Sequence, residues 1–240
     1  MISVDEKYMR MCFALAKKGY GKVAPNPMVG CVVLDRDGNL ISKGYHKKYG
    51  ENHAERDALL KLKNNEAEGG TLYVNLEPCS HFGKTPPCVD LIIKHKLKRV
   101  VIGMKDVNPK VDGITKLKNA GIEVDFVLEE EARFLNRMFI KTMTEKMPYV
   151  VLKTASTMDG KIASKTGSSK WITSETARKE VYRMRKEFDC IMTSSNTVIA
   201  DNPSMQHNFK CILDKDLRTP KDAKIYQQGE IYIASKENTP

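Results

Sequence analysis

The sequence lacks the stretches that mark membrane, repeat and low-complexity proteins. None of its apolar runs approaches the roughly 20 residues of a transmembrane helix, which excludes a membrane-spanning chain. It contains no internal repeat and no low-complexity segment, so solenoids and compositionally biased linkers are excluded as well. What remains is a chain of 240 residues with 41% hydrophobic side chains, enough for one large or two ordinary packed domains.

Secretion and disulfide signals are also missing. The N-terminal residues mix acidic and basic side chains in a helical pattern, which predicts no signal peptide. Six cysteines without the dense spacing of a small disulfide scaffold indicate a reducing compartment, and we expect a cytoplasmic protein. Four of these cysteines lie in apolar surroundings and are expected to be small core residues: Cys12, Cys31, Cys190 and Cys211.

The chain is basic, with a net charge of +10, yet it has no arginine-rich block and no interleaved aromatic residues. This charge is compatible with a nucleic-acid face or with a site for phosphorylated substrates. The scattered lysines favour a solvated surface with a local phosphate site, so we expect a phosphorylated small-molecule partner and no nucleic acid.

The spacing of apolar residues predicts an amphipathic helix over 5–18 and a β-hairpin of strands 29–34 and 40–46 around Asp37-Gly38. Alternating helices and strands follow, and they predict an α/β sandwich around one sheet. The predicted elements are a helix from 53, strand 71–75, helix 87–95, strand 99–103, helix 114–120 and strand 122–127.

A charged helical segment over 129–146 ends at Met147-Pro148, where we place a domain boundary. The predicted domains are therefore 1–146 and 149–240. The second contains a helix that begins at Ser174, with a start suited to helix capping. Its predicted strands are 149–156, 189–194, 209–213 and 230–234. The last strand lies close to Pro240, and this α/β unit is expected to be incomplete.

The strongest chemical signal lies between His53 and Cys88. His53-Ala54-Glu55 opens a helix, and Pro78-Cys79 follows a strand, with Cys88 further on. One imidazole and two thiolates are suitable ligands for a tetrahedral Zn²⁺ whose fourth position holds water. Glu55 is then the general acid and base, as in zinc nucleobase deaminases.

Two features qualify this interpretation. The usual Cys-x-x-Cys spacing is replaced by an eight-residue loop between Cys79 and Cys88, which could hold part of a substrate. A structural zinc module in a nucleic-acid-binding protein is the non-enzymatic alternative. It requires a fourth protein ligand, for which His81 in the loop is the candidate.

Seven segments spread over the chain form one recognisable set: Ala24–Gly30, His53–Glu55, Glu77–Cys88, Asp106–Pro109, Thr157–Lys161, Ser169–Thr173 and Thr197–Pro203. Together they resemble the bifunctional deaminase/reductase family of riboflavin biosynthesis. The resemblance covers essentially the whole chain, and the long loop after Cys79 is its most specific feature.

The resemblance implies a three-layer α/β/α cytidine-deaminase-like domain followed by a dihydrofolate-reductase-like α/β domain. It implies zinc-dependent hydrolytic deamination of 2,5-diamino-6-(5-phosphoribosylamino)pyrimidin-4-one, then NADPH-dependent reduction of the ribosyl group. It also implies a homo-oligomer, because the family tends to associate. A deaminase of free nucleosides or of a tRNA base is the alternative enzyme, against which the long loop and the second domain argue.

Site residues carry over from the family position by position. In the deaminase half, His53, Cys79 and Cys88 would hold zinc and Glu55 would shuttle protons. The matching positions for the deaminase substrate are Asn26, His46, Lys84, Asp106 and Asn108. Lys84 also suits a substrate phosphate as a point charge. A solvent-exposed residue at the end of a hairpin is the alternative for His46.

In the reductase half, the matching positions imply NADPH contacts at Ala155, Trp171, Thr197 and Asp201, and substrate contacts at Ser169, Arg185 and Met205. Trp171 could equally be a core anchor, and Arg185 a solvated residue of a basic helix. The chain has Asn208 where the family usually has an arginine near its ribose phosphate. The family's glycine-rich cofactor loop and acidic substrate residue are absent before Pro240, so the reductase domain is expected to be truncated, degenerate or completed by another chain.

Overall fold

The computed structural model describes residues 2–63, 65–83 and 86–236. The chain folds into two compact units, Met1–Val151 and Leu152–Pro240. Of the helices within the described ranges, none is both long and apolar enough to cross a bilayer.

The first unit alternates helices and strands as the sequence predicts. Helix α1 begins with a capping box, in which Ser3 Oγ accepts from the Glu6 N–H and the Glu6 carboxylate accepts from the Ser3 N–H. The elements are α1 Val4–Ala16, β1 Gly30–Leu34, β2 Leu40–Tyr45, α2 Ala54–Leu59, β3 Thr71–Val74, α3 Cys88–Lys94, β4 Arg99–Ile102, α4 Gly113–Asn119, β5 Glu123–Phe126, α5 Glu129–Leu135 and α6 Arg137–Glu145.

The five strands form one sheet in the order β2-β1-β3-β4-β5. The predicted hairpin is confirmed, since β1 pairs antiparallel with β2; β1 also pairs antiparallel with β3, whereas β3, β4 and β5 run parallel. The carboxyl ends of β3 and β4 therefore meet at one edge. Open α/β sheets place their sites at such an edge.

Two glycines show how closely helices cover both faces of this sheet. A Cβ on Gly30 would lie 2.1 Å from the Cys12 carbonyl oxygen of α1, and one on Gly44 would lie 2.4 Å from the Ala54 carbonyl oxygen of α2. Gly44 is paired with Cys31, the residue after Gly30, so the two glycines face opposite sides. Helices α1 and α2 thus sandwich the sheet in three layers.

The second unit contains a smaller parallel sheet in the order β6-β7-β8. One side of it packs on a small core of Val198, Ile212, Ala223 and Ile225. On the other side, Met192 and Tyr232 are 62% and 58% exposed. The elements are α7 Glu175–Arg185, β6 Ile191–Ser194, α8 Ser195–Asp201, β7 Phe209–Leu213 and β8 Glu230–Ala234.

Two expectations from the sequence are wrong. Residues 149–156, all of them described, form no strand, because an apolar pattern makes a strand only where a neighbouring strand pairs with it. Cys190 is exposed rather than in the core, whereas Cys12 and Cys31 are fully buried as expected. The predicted helical segment 129–146 is confirmed, and it is divided into two helices at Asn136.

An ion-pair network ties α1 to the sheet. Both Arg99 Nη atoms donate to the Asp5 carboxylate, at 3.0 and 2.8 Å, and the Tyr73 hydroxyl donates to it at 2.7 Å. The Arg99 guanidinium, with help from Tyr73, lowers the pKa of Asp5 below its usual value.

We expect Asp5→Asn to lower the free energy of unfolding by about 1 kcal/mol at pH 7, because a partly exposed charged pair contributes only modestly. A carboxylate whose pKa is lowered by folding stabilises the protein above its unfolded pKa. That contribution is lost as the pH falls through the folded pKa, so the difference should shrink below about pH 4. Urea unfolding of both proteins across this range tests it. Asp37→Asn, at an exposed turn position, is the control and should change little.

Candidate metal centre

Three potential metal ligands converge at the edge where β3 and β4 end. His53 is the N-cap residue of α2, Cys79 follows β3, and Cys88 is the first residue of α3. One ligand atom from each lies within 4.8 Å of the other two. His53 Nδ1 is 3.4 Å from Cys79 Sγ and 3.6 Å from Cys88 Sγ.

These separations fit a zinc ion. Zn–S bonds of about 2.3 Å and Zn–N bonds of about 2.0 Å at a tetrahedral angle place N and S about 3.5 Å apart. His53 Nδ1 has this spacing to both sulfurs. The distances from the imidazole to both thiols are therefore those of a zinc site.

The two thiols lie close together, and the Cys88 backbone N–H donates to Cys79 Sγ at 3.3 Å. The contact with Cys88, followed by that with His53, lowers the pKa of Cys79 to about 4. The same contact, together with burial, raises the pKa of the Cys88 thiol, and the contact with Cys79 raises the pKa of His53. The pair thus readily supplies one thiolate, and metal binding would displace the remaining protons.

Glu55 lies beside this cluster in the first turn of α2 and is only 3% exposed. Burial, followed by the negative charge of Cys79, raises the pKa of the Glu55 carboxyl to about 7. A carboxyl with this pKa can both accept and donate a proton near neutrality. Within the described residues, it is not one of the potential ligands that cluster within 4.8 Å.

Asn26 and His46 form a hydrogen-bonded pair next to His53. The His46 ring is 2% exposed and lies edge-on to the His53 ring at 5.5 Å, so the alternative of a solvent-exposed hairpin residue is wrong. Its Nδ1 lies 3.0 Å from the Asn52 carbonyl oxygen and its Nε2 lies 3.2 Å from Asn26 Nδ2. A carbonyl can only accept, so Nδ1 carries the proton and Nε2 accepts from Asn26. Burial lowers the pKa of His46, which favours this neutral form.

The loop after β4 carries Asp106 and Asn108 and is held to the segment around Cys79. The Glu77 carboxylate, 3% exposed, accepts from the backbone N–H of Asp106 at 3.1 Å and of Ile114 at 3.0 Å. Ser80 Oγ accepts from the Asp112 N–H at 2.7 Å on the same loop. Both ends of the loop are therefore tied to the segment after β3 that carries Cys79.

Asp106 and Asn108 use part of their side chains to shape that loop. Asp106 Oδ1 accepts from the Asn108 N–H at 2.8 Å, and Asn108 Oδ1 accepts from the Lys110 N–H at 3.1 Å. Burial raises the pKa of the Asp106 carboxyl.

Lys84, the predicted phosphate contact, lies outside the described residues. His81 is exposed and is not part of the described cluster of potential ligands, which argues against a four-ligand structural zinc.

The residues predicted for the reductase lie on separate elements of the second unit. Thr197 and Asp201 belong to α8, and Thr197 donates its N–H to Ser194 Oγ at 3.4 Å. Ala155, Ser169 and Met205 are each partly buried.

Arg185 and Trp171 have surroundings that the sequence did not predict. Arg185 lines a cavity of about 340 Å³ together with Tyr182, Lys186, Gln206 and His207. Trp171 is 70% exposed and is not a core anchor; its ring instead lies 4.3 Å from the Arg178 guanidinium.

Three buried polar residues near the site were not predicted from the sequence: Asn75, Glu77 and Asn136. Asn75 and Glu77 interrupt the apolar run TLYVNLEP, and a polar residue within such a run is the signal that could have identified them. Asn136 carries no comparable signal, because polar residues are common in a charged helical segment.

Comparison with known proteins identifies the same two parts of the chain. Residues 2–104 match the family model for the cytidine and deoxycytidylate deaminase zinc-binding region. Residues 148–240 match the family model for the RibD C-terminal domain. The chain thus contains a deaminase-type zinc-binding region and a region of the RibD C-terminal type.

Relatives match nearly the full chain. The riboflavin biosynthesis protein RibD of Aquifex aeolicus is 47% identical over 98% of this chain and 69% of its own length. That of Actinobacillus pleuropneumoniae is 44% identical over 95% of this chain and 63% of its own length. This chain therefore spans about two thirds of the length of the curated relatives that it matches.

Among solved structures, the deaminase/reductase of Thermotoga maritima superposes with a TM-score of 0.89 at 41% identity, covering 98% of this chain and 70% of that one. This match confirms the predicted α/β fold class, with a cytidine-deaminase-like part first; the second part, predicted to be dihydrofolate-reductase-like, is of the RibD C-terminal type. The chain belongs to the riboflavin biosynthesis protein RibD family of deaminase/reductases.

Proposed function

We propose that the first unit, with a domain over residues 1–146, deaminates 2,5-diamino-6-(5-phosphoribosylamino)pyrimidin-4-one hydrolytically in riboflavin biosynthesis. The observation that carries this proposal is the spacing of His53, Cys79 and Cys88 with the buried Glu55 beside them. Three ligands with a fourth position for water suit a catalytic zinc.

His53, Cys79 and Cys88 would hold the zinc, which when bound lowers the pKa of water and so supplies a nucleophile at neutral pH. Glu55 accepts a proton from the attacking water and delivers it to the ring nitrogen while a C–O bond forms at the amino-bearing carbon. Glu55 then takes the remaining proton of the added hydroxyl group and passes it to the amino group; a C=O bond forms, the C–N bond breaks, and ammonia leaves. Its burial beside the three ligands suits both transfers, because a buried carboxyl holds a proton more readily than an exposed one.

Substrate contacts are proposed for Asn26, His46, Asp106, Asn108 and Lys84. The described members of this set support the proposal, because His46 contacts the His53 ring and the loop of Asp106 and Asn108 is tied to the Cys79 segment. His46 has both ring nitrogens engaged. We therefore expect it to orient Asn26, whose Oδ1 is the atom that would accept from the substrate.

For the second unit we propose a reductase domain over residues 149–240 that contributes to NADPH-dependent reduction of the ribosyl group. The proposed NADPH contacts are Ala155, Trp171, Thr197 and Asp201, and the proposed substrate contacts are Ser169, Arg185 and Met205. The match to the RibD C-terminal domain supports this role. The arginine- and lysine-lined cavity at Arg185 suits a phosphorylated substrate.

We also propose a cytoplasmic homo-oligomer. Six free cysteines support a reducing compartment. The exposed apolar side chains on the sheet of the second unit support association, since such patches mark contact surfaces. Sedimentation velocity over a range of protein concentrations tests the oligomeric state.

Two parallel assays test the proposed activities with the zinc-loaded 240-residue protein. Ammonia release from the diamino substrate is expected, and its absence would contradict the deaminase. NADPH oxidation with the deaminated substrate tests the second unit; ammonia release without NADPH oxidation would restrict this chain to deamination. Cytidine and adenosine are the control substrates, and faster release from either would favour a nucleoside or tRNA-base deaminase.

A further inference from the structure

The backbone of Met28 lies between two carboxamide side chains. Asn136 Oδ1 accepts from the Met28 N–H at 2.9 Å, and Asn136 Nδ2 donates to the Met28 carbonyl oxygen at 3.0 Å. Asn75 Nδ2 donates to the same carbonyl oxygen at 2.9 Å, and Asn75 Oδ1 accepts from the Gly30 N–H at 2.7 Å. We call this arrangement of Asn75 and Asn136 around Met28 the amide clamp.

Both residues of the amide clamp are buried, Asn75 at 0% and Asn136 at 2% exposure. Their orientation is unambiguous, because a backbone N–H can only donate and a carbonyl oxygen can only accept. In each carboxamide, the oxygen accepts from and the nitrogen donates to the backbone of the same short segment, residues 28–30. Such buried, fully matched groups fix one geometry, since any other would leave polar atoms without partners.

The clamped segment leads directly into the proposed substrate site. Asn26 is two residues before Met28, and its Nδ2 donates to His46 Nε2 at 3.2 Å. The residue after Met28, Val29, accepts from the His46 N–H at 2.9 Å. Movement of the Met28 backbone would therefore displace Asn26 and His46 together relative to His53.

Asn136 reaches this segment from a distant part of the chain. It lies 108 residues beyond Met28, between the regions matched by the two family models. Its backbone, at φ −102° and ψ 20°, forms the break between α5 and α6. This break is explained if the side chain is required at Met28, because an uninterrupted helix would set a different direction for it.

We propose that Asn75 and Asn136 are positioning residues of the deaminase, acting through the Met28 backbone to hold Asn26 in place for the substrate. The proposal rests on the proposed deaminase function. It adds a role for the segment between the two matched regions, which supplies half of the amide clamp.

A double-mutant cycle on the zinc-loaded full chain tests the coupling. We expect Asn136→Ala to lower kcat/KM for ammonia release by about 10- to 100-fold, mainly through KM, since small misplacement of a positioning group has effects of this size. Zinc should remain at one per chain. In a protein that already carries Asn26→Ala, the added Asn136→Ala should lower kcat/KM by less than about threefold, because both changes act through the same contact.

Asn119→Ala, at an exposed position of α4, is the matched control and should be additive with Asn26→Ala. Hydrogen exchange provides a readout independent of substrate: the Met28 amide should exchange faster in Asn136→Ala, and the Gly30 amide in Asn75→Ala. If Asn136→Ala does not fold, Asn136→Asp replaces it in the cycle, because the aspartate keeps an acceptor for the Met28 N–H but loses the donor.

The outcomes separate the two proposals. A wild-type protein that loads zinc but releases no ammonia would overturn the proposed function. An active wild-type protein with fully additive losses in the cycle, or with unchanged kinetics in Asn136→Ala, would overturn the positioning role alone.

Discussion

Glu55→Gln is expected to reduce kcat for deamination by about 10²- to 10⁴-fold, the usual contribution of a general acid and base. The amide nearly preserves the shape of the buried side chain but cannot accept a proton from water. Steady-state ammonia release measures the change.

Zinc content of the same variant separates chemistry from metal binding. Because Glu55 is not a proposed ligand, Glu55→Gln should keep one zinc per chain. Glu130→Gln, an exposed glutamate of α5, is the matched control and should retain full activity. Normal turnover by Glu55→Gln would remove Glu55 from the mechanism.

His53→Ala is expected to weaken zinc binding by more than about 100-fold, because even residues that only orient a metal ligand contribute 10- to 100-fold. Loss of one of three protein ligands leaves two thiolates, which cannot keep a closed three-ligand geometry. Inductively coupled plasma mass spectrometry after gel filtration should find only a small fraction of one zinc per chain. Deamination should be lost with the metal.

The control for this experiment is His95→Ala, at the C-terminal end of α3 and away from the three ligands. It should keep stoichiometric zinc and full activity. Thiol titration adds a second readout, since Cys79 and Cys88 should react faster once zinc is lost. Stoichiometric zinc in His53→Ala would remove His53 from the ligand set, whatever the activity of that variant.

The local sequence pattern correctly predicted most of the helices and strands of the first unit. The hairpin of β1 and β2 and the alternation from α2 to β5 follow from apolar spacing and turn residues, and both are confirmed. In the second unit, the same patterns correctly predicted α7, β6, β7 and β8 but failed at 149–156. Those residues have a strand-like sequence and no partner strand within the described residues. Strand formation depends on a neighbour that local sequence does not specify.

By itself, the sequence determined which chemistry this protein can support. The reactivity of an imidazole, a thiol or a carboxyl group follows from the residue type alone. Short motifs on consecutive elements were enough to identify these groups at His53, Cys79, Cys88 and Glu55. Only the tertiary structure decided how these groups are tuned and held. Burial by residues from distant parts of the chain raises the pKa of Glu55. The hydrogen bond between Met28 and Asn136 likewise joins residues that are far apart in the chain. Periodicity reports on neighbours along the chain, whereas desolvation and long-range hydrogen bonds arise only when the sheet brings distant segments together.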